Sequence, residues 1–150
     1  MKNTWMIFQN PEDRDFFIQM GWTKPSRLRL IRGSGVDVNH FSHQPVQEES
    51  EIPKVLLPAR MLWTKGVGEF VDAGRRLRQQ GVEVRFILVG DTDPGNPDAV
   101  TEKQLRAWQD QGLVEFWGWQ ADMRSVYSQA TIVCLPSYRE GVPKTLLEAA

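Results

Sequence analysis

The chain has 150 residues, of which 41% are hydrophobic and 25% are charged. This composition is typical of a globular domain that is large enough to bury a core. Its 18 lysines and arginines nearly balance its 19 aspartates and glutamates, so the net charge is -1. No overall field therefore favours an anionic membrane or nucleic acid, and nucleic acid is not an expected partner. The single cysteine, Cys134, excludes an internal disulfide and favours a reducing compartment.

The beginning of the chain lacks the long apolar stretch and the cleavage pattern of a signal peptide. No run approaches the roughly 18 apolar residues of a membrane-spanning helix. We therefore expect a cytoplasmic protein, which a partner or a segment outside this sequence could still hold at the inner face of the membrane.

Short apolar runs alternate with stretches of helical periodicity, a pattern typical of repeated strand-helix units. Thr101 and Asp122 are expected to cap the third and fourth helices, and Gly81 and Gly112 to end the second and third. In chain order, the predicted elements are strand Trp5 to Gln9, helix Asp13 to Met20, strands Leu28 to Ile31 and Lys54 to Pro58, helix Val67 to Gln80, strand Val84 to Val89, a helix from Thr101 to Gln111, strand Val114 to Trp117, helix Met123 to Gln129 and strand Thr131 to Leu135.

This alternation favours an α/β fold with a parallel, doubly wound sheet over a barrel or a sandwich. The stretch Asp37 to Pro53 is polar and contains both histidines and an acidic run, as is typical of a linker or surface crossing. We place a domain boundary near Phe41 to Glu51. Pro143 suits the first turn of a helix, and residues 144–150 are strong helix formers without a stop signal. We therefore expect the domain to be truncated at its C-terminus, inside a helix.

Two predicted strands, the third and the sixth, are followed by loops that lead into helices, where open parallel sheets bind ligands. Both loops should open on the same edge of the sheet. The first loop carries Arg60 and Lys65. The arginine guanidinium presents its N–H donors in a planar fork, and the lysine presents a compact ammonium. The second leads to a helix start with unpaired backbone N–H groups at Lys144, Thr145 and Leu146. Together these groups suit a diphosphate leaving group, and no metal is then required.

Glu140 and Glu148 are separated by seven residues, one in the second loop and one in the helix that follows. A carboxylate accepts hydrogen bonds from vicinal hydroxyls, so the pair could hold a ribose with one member and a sugar with the other. On spacing alone, solvated charges are the more common interpretation of two such glutamates.

Arg60 and Lys65 in Ala-Arg-Met-Leu-Trp-Thr-Lys-Gly, followed by residues 140–149, Glu-Gly-Val-Pro-Lys-Thr-Leu-Leu-Glu-Ala, resemble the donor-site signature of retaining GT-B glycosyltransferases of family four. Residues 33–37, Gly-Ser-Gly-Val-Asp, are similar to that family's Asn-Gly-Val-Asp turn, with Ser34 in place of the asparagine. Residues 88–90 and 118–130 follow in the family's order, so the similarity spans nearly the whole chain. The sequences of residues 8–13 and 137–141 are most similar to those of enzymes that build bacterial surface polysaccharides on a lipid carrier.

The resemblance implies that the chain is the donor-binding half of a GT-B fold, a Rossmann-like domain for a nucleotide-diphosphate sugar. Residues 1–45 would be the tail of the acceptor domain with the interdomain linker, and residues 46–150 an incomplete donor-binding domain. The enzyme would transfer the sugar with retention to a lipid-linked or saccharide acceptor, which binds through the N-terminal domain. No metal or other cofactor would be required, and the isolated chain is expected to be inactive.

The same resemblance implies roles for individual residues. Arg60 and Lys65 would bind the diphosphate and form the catalytic set with Glu140, which would contact the transferred sugar; whether Glu140 is also a nucleophile stays open. Glu148 would bind the ribose hydroxyls. The remaining substrate-binding positions, which act largely through their backbone, are Gly141, Val142, Pro143, Lys144, Thr145 and Leu146.

Several other residues have a less specific pattern. Residues 91–93, Asp-Thr-Asp, match a metal-binding pattern of other glycosyltransferases, but aspartates in such a turn commonly bond their own backbone. His40 and His43 lack a third ligand, so packing is the favoured interpretation. Core packing is favoured for Trp119, with a place beside the nucleotide base as the alternative. Trp108 is expected at a surface that meets another domain.

Three other functions compete with a glycosyltransferase. A dinucleotide-dependent oxidoreductase needs a Gly-x-Gly-x-x-Gly turn after its first strand, and the sequence has none. A sugar epimerase of the same architecture would carry a different set of donor-site acids. The principal alternative is a non-catalytic module that binds a nucleotide sugar.

Overall fold

The computed structural model describes residues 4–43 and 52–150. In this part of the chain the strands form two parallel sheets, one of two strands and one of four. The expected boundary between residues 45 and 46 and the acidic end of the predicted linker lie outside the described residues.

The order of the elements agrees with the predicted alternation of strands and helices. In chain order, the described residues form β1 (Met6–Phe8), α1 (Pro11–Gln19), a 3-10 turn (Pro25–Arg27), β2 (Leu28–Leu30), β3 (Lys54–Pro58), a second 3-10 turn (Trp63–Lys65), α2 (Val67–Gln79), β4 (Arg85–Val89), α3 (Glu102–Asp110), β5 (Glu115–Gly118), α4 (Met123–Tyr127), β6 (Ile132–Val133) and α5 (Lys144–Ala149).

The small sheet is a strand-helix-strand unit in which β1 and β2 pair in parallel. Its helix begins at Pro11, two residues before the predicted start at Asp13. The earlier start has a local cause, since the Asn10 side chain caps the helix by accepting the Asp13 N–H at 2.7 Å and Pro11 is pre-organised for the first helical position. Phe17 of α1 packs edge-on against Phe8 of β1, with 5.0 Å between ring centroids.

The large sheet has the strand order β5-β4-β3-β6, and all its pairs are parallel. Five residues of β3 pair with β4, but only Val55 and Leu56 pair with β6. The backbone contact with β6 continues beyond the strand, because the Cys134 N–H donates to the Leu56 carbonyl at 2.8 Å. The prediction of a strand over residues 131–135 therefore located the segment correctly but overestimated the length of the regular strand.

Both faces of the large sheet are covered, because successive residues of its strands point to opposite sides. Leu57 packs with Phe70 of α2 and Leu105 of α3 in one core cluster. Leu56, its neighbour on β3, packs with Val126 of α4 in a second cluster. The predicted class, an α/β fold with a doubly wound parallel sheet, is confirmed.

The predicted caps of α3 and α4 are confirmed. The Thr101 side chain accepts the Gln104 N–H at 3.3 Å, and the Asp122 carboxylate accepts the Arg124 N–H at 3.1 Å. At α5, Pro143 is the capping residue and the helix begins at Lys144, one residue later than predicted. Within residues 4–43 and 52–150, none of the helices is both long enough and apolar enough to cross a membrane.

The expectations for two tryptophans were wrong. Trp108 lies three residues after buried Leu105 on α3, so its ring packs against the first core cluster and meets Trp63 at 5.9 Å. Trp119 follows the end of β5, where Gly118 turns the chain away from the sheet with a φ of 66°. Its side chain is therefore 68% exposed instead of packed in the core.

Candidate functional site

The strand order has a switch point between β3 and β6 at the carboxyl edge of the large sheet, here called the crevice. From β3 the chain winds outward through β4 to β5, and then returns to place β6 on the other side of β3. The loops after β3 and β6 therefore leave the same edge of the sheet from neighbouring strands. Such a switch point is where open α/β sheets bind ligands. The two loops that the sequence singles out both begin at this switch point. They are here called the β3 loop (59–66) and the β6 loop (134–143).

Backbone contacts join the β3 loop to the β6 loop. The Tyr138 N–H donates to the Thr64 carbonyl at 3.0 Å. Gly66 adopts a left-handed φ of 74°, and a β-carbon at this position would overlap the Pro136 carbonyl. A glycine is required here both for the turn and for the close approach of the two loops. The prediction that these loops open together is confirmed.

Lys65 and Glu140 form an ion pair across the crevice. The lysine ammonium lies 2.6 Å from the Glu140 Oε1, and the two side chains are 24% and 26% exposed. Partial burial opposes ionisation of Glu140, but the hydrogen bond from Lys65 and the lysine charge outweigh burial and lower the carboxyl pKa. Glu140 is therefore an anion at neutral pH, and Lys65 already has an anionic partner.

This ion pair makes part of the stability pH-dependent. The folded-state pKa of Glu140 lies below its usual value of 4.5, so its contribution is present above that value and is lost as the pH falls below it. We expect Glu140→Gln to destabilise the protein by about 1 kcal/mol near neutral pH and by less at a pH below 4.5 at which both proteins still fold, because the stabilisation is lost as the pH falls through the folded-state pKa. Urea unfolding of both proteins at the two pH values measures this difference. An equal difference at both would contradict the assignment.

The β6 loop also meets the small sheet. A cleft of about 420 Å³ lies between them, with Gln9 and Arg32 on one side and Glu140 on the other. The approach is close: a β-carbon on Gly141 would lie 3.1 Å from Gln9, and one on Gly33 would lie 2.9 Å from Val142. An ion pair between Arg139 and Asp13 also joins the loop to α1. Glu140 is thus flanked by both sheets.

Arg60 contacts the loop after β4, on the other side of β3 from β6. Its Nη1 atom is 3.0 Å from the Asp93 Oδ2 in the loop after β4, and its side chain is 61% exposed. Asp91, two residues earlier, accepts the Thr92 N–H at 2.9 Å, as expected for an aspartate in a turn. In residues 4–43 and 52–150, no three His, Cys, Asp or Glu residues form a group that could hold a metal ion.

Glu148 faces another cavity, of about 260 Å³, which it lines with Phe41 and Tyr127. Its carboxylate is 3.2 Å from the Lys144 ammonium and accepts a hydrogen bond from the Tyr127 hydroxyl at 3.2 Å. Burial first, and then the negative charge of Glu148, raise the pKa of Tyr127, so the phenol stays a donor. The Glu148 side chain is only 14% exposed, which argues against the interpretation of a freely solvated helix charge.

The start of α5 is less open than predicted. The Leu146 N–H donates to the Pro143 carbonyl at 3.1 Å, so the expectation of an unpaired Leu146 amide was wrong. The reason is that Pro143 caps the helix, which gives its carbonyl to the first turn. Lys144 uses its side chain for Glu148, and the Thr145 hydroxyl interacts with Tyr127.

The structure thus brings together some of the predicted site residues. Lys65 and Glu140 are in contact, and Gly141 and Val142 line the same cleft as Glu140. Arg60 instead contacts Asp93, and Glu148 contacts Tyr127.

Sequence reasoning missed Gln9, Arg32 and Tyr127 as site residues. Gln9 and Arg32 each follow a parallel strand, so the strand-end rule could have found them. Tyr127 carries no local signal, because its partner lies 21 residues away. Asp93 was singled out for its Asp-Thr-Asp pattern, but its contact with Arg60, 33 residues away, was not predicted. His40 stacks edge-on against Phe41 at 4.8 Å, which agrees with a packing role.

Residues 52–150 match the family described as glycosyl transferases group 1. This chain belongs to that family. The predicted recognition of a GT-B glycosyltransferase is confirmed, and the glycosyl transferases group 1 match includes the β3 loop, the β6 loop and every strand of the large sheet.

Similar proteins have bacterial sources. The chain is 31% identical over 156 residues to the N,N'-diacetylbacillosaminyl-diphospho-undecaprenol alpha-1,3-N-acetylgalactosaminyltransferase of Campylobacter jejuni, in a match that covers 95% of the chain and 39% of that protein. The chain therefore spans about two fifths of that protein's length.

Solved structures agree in fold. The Anabaena protein HepE, crystallised with UDP and glucose, superposes with a TM-score of 0.76 at 24% identity, covering 97% of this chain and 41% of that one. WaaG, a glycosyltransferase involved in lipopolysaccharide biosynthesis, superposes with a TM-score of 0.70 at 18% identity, covering 95% and 40%. The prediction that this chain forms the Rossmann-like half of a GT-B fold is therefore confirmed.

Proposed function

We propose that this chain binds a nucleotide-diphosphate sugar as part of a glycosyltransferase of bacterial polysaccharide synthesis. The observation that carries the proposal is the Lys65–Glu140 ion pair, which spans the switch point between β3 and β6. In this pair the Lys65 ammonium could stabilise a departing diphosphate, and the adjacent Glu140 carboxylate could accept hydrogen bonds from sugar hydroxyls.

The names of similar proteins support a proposed acceptor and setting. The Campylobacter protein is named for a diphospho-undecaprenol acceptor, and HepE was crystallised with UDP and glucose. We propose a UDP-sugar donor and a lipid-linked saccharide acceptor for this protein as well. Such an acceptor would place the protein in the cytoplasm at the inner face of the membrane.

We further propose that residues 46–150 contribute to the donor domain and that residues 1–45 belong to the acceptor domain and its linker. Transfer would proceed with retention and without a metal, since Arg60 and Lys65 provide positive charge for the diphosphate. Glu140 would contact the transferred sugar and Glu148 the ribose. Binding there needs the Tyr127 and Lys144 contacts of Glu148 to rearrange or to orient one oxygen toward the ligand.

Calorimetric titration of the full-length protein with UDP, GDP and NAD tests the donor site. A nucleoside diphosphate is expected to bind and NAD is not. Arg60→Ala and Glu148→Ala should each weaken nucleotide binding by roughly 1 to 3 kcal/mol, because each removes charge-assisted hydrogen bonds.

Arg106→Ala is the matched control, since Arg106 is an exposed arginine of α3 that pairs with Glu102. It should leave the affinity unchanged. Equal affinity of the wild type, Arg60→Ala and Glu148→Ala would refute the site. Binding without sugar transfer would favour the non-catalytic module.

A further inference from the structure

The loop after β4 (90–99), here called the β4 loop, braces the β3 loop along its length. The Met61 N–H donates to the Asp91 carbonyl at 3.0 Å, and the Trp63 N–H donates to the Asp98 carbonyl at 2.9 Å. An isolated antiparallel bridge joins Leu62 to Ala99. The conformation of the cationic β3 loop is therefore determined by its neighbour as well as by its own sequence.

Two aspartates of the β4 loop extend this bracing to side chains. The Asp98 carboxylate accepts the Thr64 N–H at 3.0 Å and a short hydrogen bond from the Thr64 hydroxyl. Asp93 is the partner of Arg60. One aspartate thus fixes the backbone next to Lys65, and the other contacts the guanidinium itself.

We propose that Asp93 is a positioning residue, which holds the Arg60 guanidinium at the carboxyl edge of the large sheet in an orientation that can receive a donor diphosphate. The inference rests on the proposed function. Asp93 is the better fixed of the two partners: its side chain is 35% exposed against 61% for Arg60, and its Oδ2 also accepts from the Asn96 side-chain amide at 3.3 Å. The Asn96 N–H donates to the Asp93 carbonyl at 2.9 Å, closing the turn.

The contact leaves room for a ligand on the same guanidinium. Among the described residues, Asp93 engages only the Nη1 atom of Arg60, whereas a guanidinium has five N–H donors in a planar fork. The edge formed by the other nitrogens can bind phosphate oxygens in a bidentate manner while Asp93 keeps its hold. Pre-orientation of a long, exposed side chain lowers the entropy that binding would otherwise lose.

In this proposal the Asp-Thr-Asp segment orients Arg60 and does not bind a metal. Its second aspartate follows β4, the strand next to β3, so a parallel sheet brings it to the edge where Arg60 lies. The carboxylate there supports the diphosphate-binding cation directly.

Titration of the full-length protein with UDP, in a cycle of wild type, Asp93→Ala, Arg60→Ala and the double variant, tests the inference. Asp93→Ala is expected to weaken UDP binding roughly 3- to 5-fold, the size expected for a partly exposed ion pair. In the Arg60→Ala background the same change should have no effect, because its action passes through Arg60. Asp93→Asn, which keeps the shape and an acceptor oxygen, should lie in between and replaces Asp93→Ala if that variant does not fold.

Asp72→Ala is the control, because Asp72 is an exposed aspartate that pairs with Arg75 on α2; it should not change UDP affinity. An equal loss from Asp93→Ala in both backgrounds would overturn the inference, as would tighter UDP binding. If Arg60→Ala alone does not weaken binding, the proposed donor site fails. If Arg60→Ala weakens binding but Asp93→Ala does not, only the role of Asp93 fails.

Discussion

Replacement of Lys65 by methionine is expected to lower the rate of sugar transfer by roughly 100-fold, the loss typical of removing one preorganised group that stabilises developing negative charge. Methionine keeps most of the side-chain volume and removes the ammonium that lies 2.6 Å from Glu140. The measurement is the initial rate of UDP release from UDP-glucose and from UDP-N-acetylgalactosamine by the full-length protein. Proton NMR of the product also determines whether the anomeric configuration is retained.

The control is Lys103→Met, at an exposed lysine on α3, which should keep the wild-type rate. A second control addresses Glu140, because Lys65→Met leaves that carboxylate without its cation. If the unpaired carboxylate caused the loss, Glu140→Gln in the same background would restore activity. We expect no restoration, and recovery of activity would assign the effect to Glu140 instead of to the missing ammonium.

Substitution of Gly66 by alanine is expected to destabilise the fold by about 3 kcal/mol, from a left-handed backbone and from overpacking against the β6 loop. The new methyl group would overlap the Pro136 carbonyl, a backbone atom that cannot rotate away. Urea unfolding followed by circular dichroism measures the change in the free energy of unfolding.

Gly81→Ala is a matched control at the other end of α2. Gly81 has the same φ of 74°, but a β-carbon there would meet nothing within 4 Å. Only the backbone term applies, so about 1 kcal/mol is expected. Equal destabilisation by the two substitutions would mean that the contact between the β3 loop and the β6 loop adds nothing to stability.

Much of the fold could be predicted because its signals are local. The apolar run of β4 and the caps at Thr101 and Asp122 depend on a few neighbouring residues, and each was found in the structure. The start of α1 was predicted too late because Asp13 was read as the beginning, although the cap is Asn10. The length of β6 was overestimated because only two of its residues pair regularly with β3, which the apolar run could not reveal.

The candidate site was predictable only where topology fixes it. Parallel strands place their carboxyl ends at one edge, so the opening of the β3 and β6 loops at the same edge followed from the strand assignment. Their direct contact depends on the strand order, which makes β3 and β6 neighbours. The partners of Arg60 and Glu148 did not, since they depend on how two loops and two helices pack in three dimensions. Trp108 and Trp119 illustrate the same limit. Both lie near polar residues in the sequence, and only the packing of α3 and the end of β5 makes Trp108 partly buried and Trp119 exposed.

The contact between Lys65 and Glu140 also bears on which anions the crevice accepts. An incoming phosphate does not find the Lys65 ammonium unpaired. It has to compete with the Glu140 carboxylate, which the protein holds next to that ammonium. A single small anion would replace only the carboxylate and leave Glu140 without a cation, whereas a ligand that carries both a diphosphate and a sugar could replace both partners. We therefore expect the internal neutralisation of Lys65 by Glu140 to disfavour small single anions relative to such a ligand.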